Sequence, residues 1–336
     1  MVVKHKSANL FKKYLDYMSF YLSSTSTLIN SNYDVVYLNY FTHTFPPIIL
    51  GKVIHSIINR RKLKIIAHVH GNDLEPEKVI NRLVLNILKP FRKSINGWIV
   101  PSNYYSSVLR DYLINKEVPI LVYPSGGVDT KLFKPMNKKE VREKFYLDMN
   151  DFVIGWVSRI DKRKGWEVFL KALYRANFSI PNIKAIVAGG GNDELQFKKV
   201  VRNLGIEDKI IMLGNVKHEQ LPFVYNTMDV FVFPTMKESL GLVGLEALSC
   251  GIPVIASNID GPKEYIEENM NGFLFEPGSA ESLYRKIMLF YNLPDKKKEE
   301  IKRRARETAL KYDSHKVNQD LVKFLLEVYY EDNRNS

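Results

Sequence analysis

The segment FVIGWVSRIDKRKGWEVFLKALYRANFSIPNIKAIVAGGG, residues 152–191, decides the fold. It opens with a short apolar run, Phe152–Val157, and passes through a basic loop into a helical stretch. It returns in a second run, Ile183–Ala188, that ends in three glycines. Runs that are apolar on both faces and alternate with helices are parallel strands buried between helix layers. The alternation extends in both directions. Upstream, strands are predicted at Asp34–Leu38, Leu63–Val69, Gly97–Val100 and Pro119–Val122. Downstream, they are predicted at Ile210–Leu213, Val230–Phe233, Pro253–Ala256 and Gly272–Phe275. A helix is expected around Leu10–Ile29 and another over Asp313–Tyr330, with Ser314 as its cap. A chain of 336 residues exceeds the size at which one core stops growing. Two doubly wound α/β domains are therefore expected, with the break in SGGVDTKLFKPMNKKE (125–140), a stretch rich in Gly, Lys and Pro.

Composition narrows the function classes. Apolar residues make up 45% and charged residues 26%, as in soluble globular proteins. No apolar run is long enough to span a bilayer, and the N-terminus lacks the pattern of a signal peptide. Cys250 is the only cysteine, which excludes a disulfide framework and a cysteine-based metal site within one chain. A cytoplasmic location is expected. The net charge of +12 is unevenly placed: residues 1–150 carry 22 Lys and Arg against 11 Asp and Glu, the remainder 27 against 26. A basic half suits an anionic partner, such as a lipid surface, a phosphate-bearing acceptor or nucleic acid. The alternative is a solvated Lys-rich surface. No aromatic-basic motif of a known nucleic-acid module stands out. The stretch VINRLVLNILKPFRK (79–93) could lie on anionic lipid at the inner face of a membrane, or be a buried helix with a basic end.

Ligands of open α/β sheets bind where strands reach their carboxyl edge. Arg159 and Lys164 leave that edge after Phe152–Val157 with four residues between them. A guanidinium fork and an ammonium there suit a diphosphate. The glycines at 189–191 leave room for a nucleotide base or ribose, or form only a tight turn. Glu238 and Glu246 lie eight residues apart across a strand–loop–helix junction. Eight residues of helix rise about 12 Å, too far for the paired carboxylates of a glycosidase and suited to opposite ends of an extended ligand. Ser239, Leu240, Gly241 and Leu242 between them offer amide groups to phosphate oxygens. Cys250 in its apolar setting is expected to be a core residue. In the first half, His68 and His70 share a strand face, with His70 last at the carboxyl edge and the better placed to face a cleft. A His-x-His metal pair joined by Asp73 is the minority alternative.

Together these residues resemble the family 4 retaining glycosyltransferases. The resemblance rests on Arg159-x4-Lys164, the Gly189–Gly191 turn, VKHEQLP (216–222), the E-x7-E pair Glu238 and Glu246, LEALSCGIPVIAS (245–257) and DGPKEYI (260–266). His70-Gly71 and GGVDTKLFKP (126–135) also fit, and the likeness covers roughly residues 34–330. It implies a GT-B fold: two Rossmann-like doubly wound domains facing a cleft. Residues 1–135 with a returning helix, 314–336, form the acceptor-side domain, and residues 150–312 form the nucleotide-sugar domain. The chain opens with a helix where the family has a strand and a glycine loop, so a shortened N-terminal domain is expected.

The resemblance implies that Arg159 and Lys164 hold the donor diphosphate, Glu238 contacts the transferred sugar and Glu246 takes the ribose hydroxyls. Gly190 lines the donor site, the backbone at Val216 and Lys217 reads the base, and His70 approaches the reaction centre. It implies a nucleotide-diphosphate sugar as co-substrate, a glycan or lipid-linked acceptor, transfer with retention, and neither metal nor cofactor. A partner-dependent nucleotide-sugar-binding subunit is the alternative. A nucleotide-sugar epimerase fits the motif set less well.

Overall fold

The computed structural model describes residues 10–30, 33–59, 63–75, 79–113 and 117–331. The chain forms two compact units, one from Met1–Tyr123 with Gln319–Ser336, the other from Pro124–Asn318.

In the first unit four parallel strands stand in chain order: β1 (Val35–Asn39), β2 (Lys64–His68), β3 (Gly97–Val100) and β4 (Ile120–Val122). Between and before them lie α1 (Leu10–Ile29), α2 (Phe41–Asn59), α3 (Gly71–Leu74), α4 (Val79–Leu88) and α5 (Asn103–Tyr112). β2 and β3 are buried at every position, as expected of strands covered on both faces. One face packs Phe41, Phe45, Ile65, Trp98 and Leu109. The other packs Ile66 and Ile99 against Phe324 and Val328 of the last helix. Gly97 admits that helix, because a Cβ there would stand 3.0 Å from Val328. Lys64 Nζ donates to the Val328 carbonyl at 2.8 Å and so caps the helix end.

The second unit holds a six-stranded parallel sheet in the order β10-β9-β8-β5-β6-β7. Its strands are β5 (Phe152–Val157), β6 (Ile183–Ala188), β7 (Ile210–Gly214), β8 (Val230–Phe233), β9 (Val254–Ser257) and β10 (Gly272–Phe275). Its helices are α6 (Lys138–Lys144), α7 (Trp166–Asn177), α8 (Glu194–Leu204), α9 (Leu221–Thr227), α10 (Leu242–Ser249), α11 (Asp260–Lys263), α12 (Ala280–Tyr291) and α13 (Asp295–Leu310). The final helix, α14 (Ser314–Tyr330), carries the chain from the second unit into the first. All ten strands predicted from the apolar runs are present, with ends within one residue of the prediction.

Two local findings refine the sequence reading. The α14 start is capped one residue earlier than expected. Asp313 Oδ1 accepts from His315 N at 3.0 Å, and the other carboxylate oxygen accepts from Thr130 Oγ1. Ser314 instead spends its backbone N–H on the Val128 carbonyl, at 2.9 Å. The Gly- and Pro-rich stretch before β5 is packed against the second unit, where Val128 and Phe133 enter the core.

The buried Arg142 of α6 fixes that packing. Its Nε donates to Thr227 O at 3.0 Å and its Nη1 to Asp148 O and Asp151 O at 3.0 and 2.9 Å. Its Nη2 reaches Asp229 Oδ2 at 2.8 Å. Asp229 also accepts from Lys138 Nζ and from Val153 N. Burial alone would raise the Asp229 pKa, but Lys138 and Arg142 outweigh it and hold the carboxyl below its ordinary value.

Candidate functional site

In the second sheet the strand order turns around β5: the chain goes from β5 to β6 on one side and later to β8 on the other. The crevice at the carboxyl ends of β5 and β8 is the topological switch point, where open α/β sheets bind ligands. The loops that follow these two strands are laced together. Met236 N donates to Arg163 O at 2.8 Å, and Thr235 Oγ1 donates to the same carbonyl at 3.4 Å. Gly165, at φ +74°, lets the first loop pass under the second, since a Cβ there would lie 1.8 Å from Pro234 O. Asp161 caps the short turn Lys162–Lys164 by accepting from Arg163 N at 3.0 Å.

This lacing brings Lys164 and Glu238 together across the switch point. Lys164 Nζ lies 2.8 Å from Glu238 Oε2, and both side chains are about one-fifth exposed, at 22% and 20%. The second Glu238 oxygen accepts from Ser239 N at 3.3 Å. Arg159, on the same loop as Lys164, is exposed. Gly261 at the start of α11 supports the Glu238 loop from below: a Cβ there would stand 2.6 Å from Glu238 O. Gly241 begins α10 at φ +89°, and its carbonyl accepts from the buried Tyr265 hydroxyl at 2.9 Å. The Ser239–Leu242 backbone is thereby fixed at the N-terminus of α10, where N–H groups and the helix dipole favour an anion.

Glu246, in the second turn of α10, is 7% exposed. Its Oε2 accepts from the buried Tyr225 hydroxyl of α9 at 2.8 Å, and its Oε1 lies 3.1 Å from His218 Nε2. His218 is exposed, and its ring also meets Phe133 edge-on at 5.1 Å. Val216 and Lys217 come just before it, in the loop after β7. Tyr225 and His218 are not among the site residues read from the sequence. They lie 21 and 28 residues away, and only the packing of α9 beside α10 joins them.

The three glycines after β6 divide in role. Gly189, at φ +128°, and Gly191 let the backbone after β5 approach: a Cβ would meet Ser158 O at 1.8 Å and Ile160 O at 2.3 Å. Gly190 instead faces polar side chains: a Cβ there would stand 3.2 Å from Asn215 and 3.3 Å from Glu194. Cys250 is buried in the core, and burial pushes its thiol well up, with Glu246 adding to the shift.

His70 belongs to the first unit, directly after β2. Its Nε2 lies 2.6 Å from Asn39 Oδ1, and its backbone N–H donates to Asp73 Oδ2 at 2.8 Å. Burial lowers its pKa, against the opposing charge of Asp73. His68 beneath it is buried, accepts or donates through Nδ1 to the Tyr37 hydroxyl at 2.6 Å, and is pushed down to about 4 by burial and by His70. Asp73 uses its other oxygen on Thr42 N and Oγ1, at 3.1 and 2.7 Å.

Comparison with known proteins bears on these groups. The family model described as glycosyl transferases group 1 matches residues 137–308. A D-inositol 3-phosphate glycosyltransferase of Mycolicibacterium smegmatis is 32% identical over 161 residues, 46% of this chain and 36% of that one. A GDP-mannose-dependent alpha-(1-6)-phosphatidylinositol monomannoside mannosyltransferase of Mycobacterium tuberculosis is 26% identical over 229 residues, 65% of this chain and 58% of that one. The chain thus spans about a third to three-fifths of the length of the curated relatives it matches. Among solved structures, Anabaena HepE in complex with UDP superposes with a TM-score of 0.75 at 23% identity, over 93% of this chain and 82% of that one. That likeness concerns the fold.

Proposed function

Since the chain belongs to the glycosyl transferases group 1 family and has a GT-B fold of two Rossmann-like sheets, we propose that it moves a sugar from a nucleotide-diphosphate donor to a hydroxyl of a glycan or lipid-linked acceptor, with retention at the anomeric carbon. The observation that carries this reading is the Lys164–Glu238 pair at the switch point, 2.8 Å apart, with Arg159 on the same loop. In the proposal the second unit holds the donor and the first, with the end of α14, receives the acceptor.

The roles follow from charge. Lys164 and Arg159 bind the diphosphate, and the α10 N-terminus adds N–H groups at Ser239–Leu242. As the bond from the anomeric carbon to the diphosphate breaks, negative charge grows on the leaving oxygen. Fixed cations lower the barrier most when they stabilise such developing charge. The acceptor oxygen bonds to the anomeric carbon on the same face, and its proton passes to the leaving diphosphate. Lys164 shifts part of its attraction to that phosphate, which frees Glu238 to bond the sugar hydroxyls. Glu246 clasps the ribose, held in place by Tyr225. Gly190, Val216 and Lys217 border the nucleotide, and His70 belongs to the acceptor-side unit. The proposal includes no metal and no cofactor.

The names of the relatives support the donor class: one uses GDP-mannose and one was solved with UDP. An acceptor on a lipid suits the first unit. No helix among the described residues is long and apolar enough to cross a membrane. α4 buries Leu85 and Leu88 but leaves Leu83 and Ile87 53% and 68% exposed, with Phe91 following at 44%. Exposed Arg82, Lys89 and Lys93 flank this stripe. We propose that it rests on an anionic bilayer at the cytoplasmic face. The protein should then sediment with phosphatidylglycerol vesicles, less so as salt rises, and a Leu83→Ser/Ile87→Ser double variant should lose binding. Equal binding to phosphatidylcholine vesicles would contradict this.

Transfer itself is tested with labelled nucleotide sugars and a lipid-extract acceptor, followed by NMR of the product anomer. Retention supports the proposal and inversion refutes the mechanism. Donor binding without turnover on any acceptor would mark a partner-dependent donor-binding subunit instead.

A further inference from the structure

Tyr265 follows α11 and is buried. Its hydroxyl donates to the Gly241 carbonyl at 2.9 Å. That carbonyl already accepts from Gly244 N at 3.0 Å, the first bond of α10, and needs no second donor to be satisfied. Packing does not explain the hydroxyl either, since phenylalanine would fill the same space without a polar group to desolvate. Gly244 makes room for it: a Cβ there would stand 2.1 Å from the Tyr265 hydroxyl oxygen and 2.9 Å from the ring. A glycine inside a helix is destabilising, so α10 gives up helix stability to admit this one group.

The tyrosine is held from behind. Its carbonyl accepts from Asn271 Nδ2 at 2.7 Å, and the same amide nitrogen donates to Thr308 Oγ1 of α13 at 2.9 Å. Asn271 is itself buried, and its oxygen accepts from Glu267 N at 2.9 Å. Tyr312 meets the Tyr265 ring edge-on at 6.2 Å. Burial, with the Glu238 carboxylate adding to it, pushes the Tyr265 hydroxyl well above its ordinary pKa, so it stays a donor.

What the bond fixes is a direction. In a trans peptide the C=O and the next N–H point opposite ways. Anchoring the Gly241 carbonyl within the first turn of α10 therefore aims the Leu242 N–H out of the helix N-terminus. Among the described residues no protein acceptor takes the N–H groups of Leu242 and Val243. Two donors on one carbonyl also polarise its peptide and strengthen that N–H. We infer that Tyr265 is a positioning residue for the donor: its hydroxyl, seated against Gly244, aims the free α10 N–H groups at the phosphates. This rests on the donor site proposed above.

The test compares UDP with uridine, and GDP with guanosine, on the full chain. Titration calorimetry reads the diphosphates and ligand-observed NMR reads the nucleosides. Tyr265→Phe keeps the ring and should melt close to wild type. It should weaken the nucleoside diphosphate about ten-fold, the worth of one misdirected bond to a charged group. Affinity for the nucleoside should not change. A merely structural role would lower both affinities or neither. Gly244→Ala, which drives the ring off the carbonyl, should show the same split, and adding Tyr265→Phe to it should cost little more, because both act on one contact. Wild-type diphosphate binding by Tyr265→Phe, or equal weakening of diphosphate and nucleoside, would overturn the positioning role and leave the donor site standing. Failure of wild type to bind either diphosphate would overturn both.

Discussion

Replacing Lys164 with alanine is expected to lower kcat/KM for sugar transfer by about 100- to 1,000-fold, the usual cost of removing one fixed group that stabilises developing charge. Lys164 lies on a turn capped by Asp161 and is held 2.8 Å from Glu238 across the crevice between β5 and β8. The pair is partly solvated, so its loss should change stability by no more than about 1 kcal/mol. That separates a catalytic defect from unfolding: melting temperature should barely move while transfer collapses. Glu238→Ala should also abolish transfer, because it leaves the sugar without its carboxylate partner. Lys164→Met, which keeps the length of the stem, should be as inactive as alanine. Transfer rates within a few-fold of wild type in the Lys164 and Glu238 variants would refute the assignment, whatever the fold does.

The largest expected effect on stability is at Arg142. Its guanidinium satisfies carbonyls at Thr227, Asp148 and Asp151 and pairs with Asp229. Arg142→Ala would leave Asp229 with Lys138 as its remaining cationic partner and strip the Thr227, Asp148 and Asp151 carbonyls of their donor, which costs about 3–5 kcal/mol. In a unit of this size that lowers the melting temperature by roughly 10 °C. Arg142→Lys should recover little, because an ammonium cannot reproduce the fork. The pH dependence has a definite sign. The Asp229 pKa is depressed in the folded protein, so its contribution is present above the ordinary carboxylate range and is lost as pH falls through the folded value. Wild type should therefore lose stability on acidification, and Asp229→Asn should flatten that part of the curve. A melting temperature unchanged by Arg142→Ala would contradict this account.

The strands were legible because buried parallel strands leave an unbroken apolar trace: Phe152–Val157 and Ile183–Ala188 are recovered residue for residue. Lys164, Glu238 and the α10 N-terminus were legible because carboxyl-edge loops follow those strands directly. Long-range pairings were not. Glu246 with Tyr225 and His218, and Arg142 with Asp229, join residues up to 87 positions apart, and only packing sets such distances. The role of Gly189 and Gly191 was also hidden, since a glycine that admits a ligand and one that admits another backbone look alike in sequence.

The central claim is that Lys164, Arg159, Glu238 and Glu246 serve one nucleotide-linked sugar. Thermal unfolding of wild type and of Lys164→Ala and Glu246→Ala, across a panel of UDP- and GDP-sugars, tests it most directly. At 100 times its dissociation constant the correct donor should stabilise wild type by about 2.7 kcal/mol and neither variant by a comparable amount. Equal stabilisation of all three proteins, or none of the wild type by any member of the panel, would contradict it.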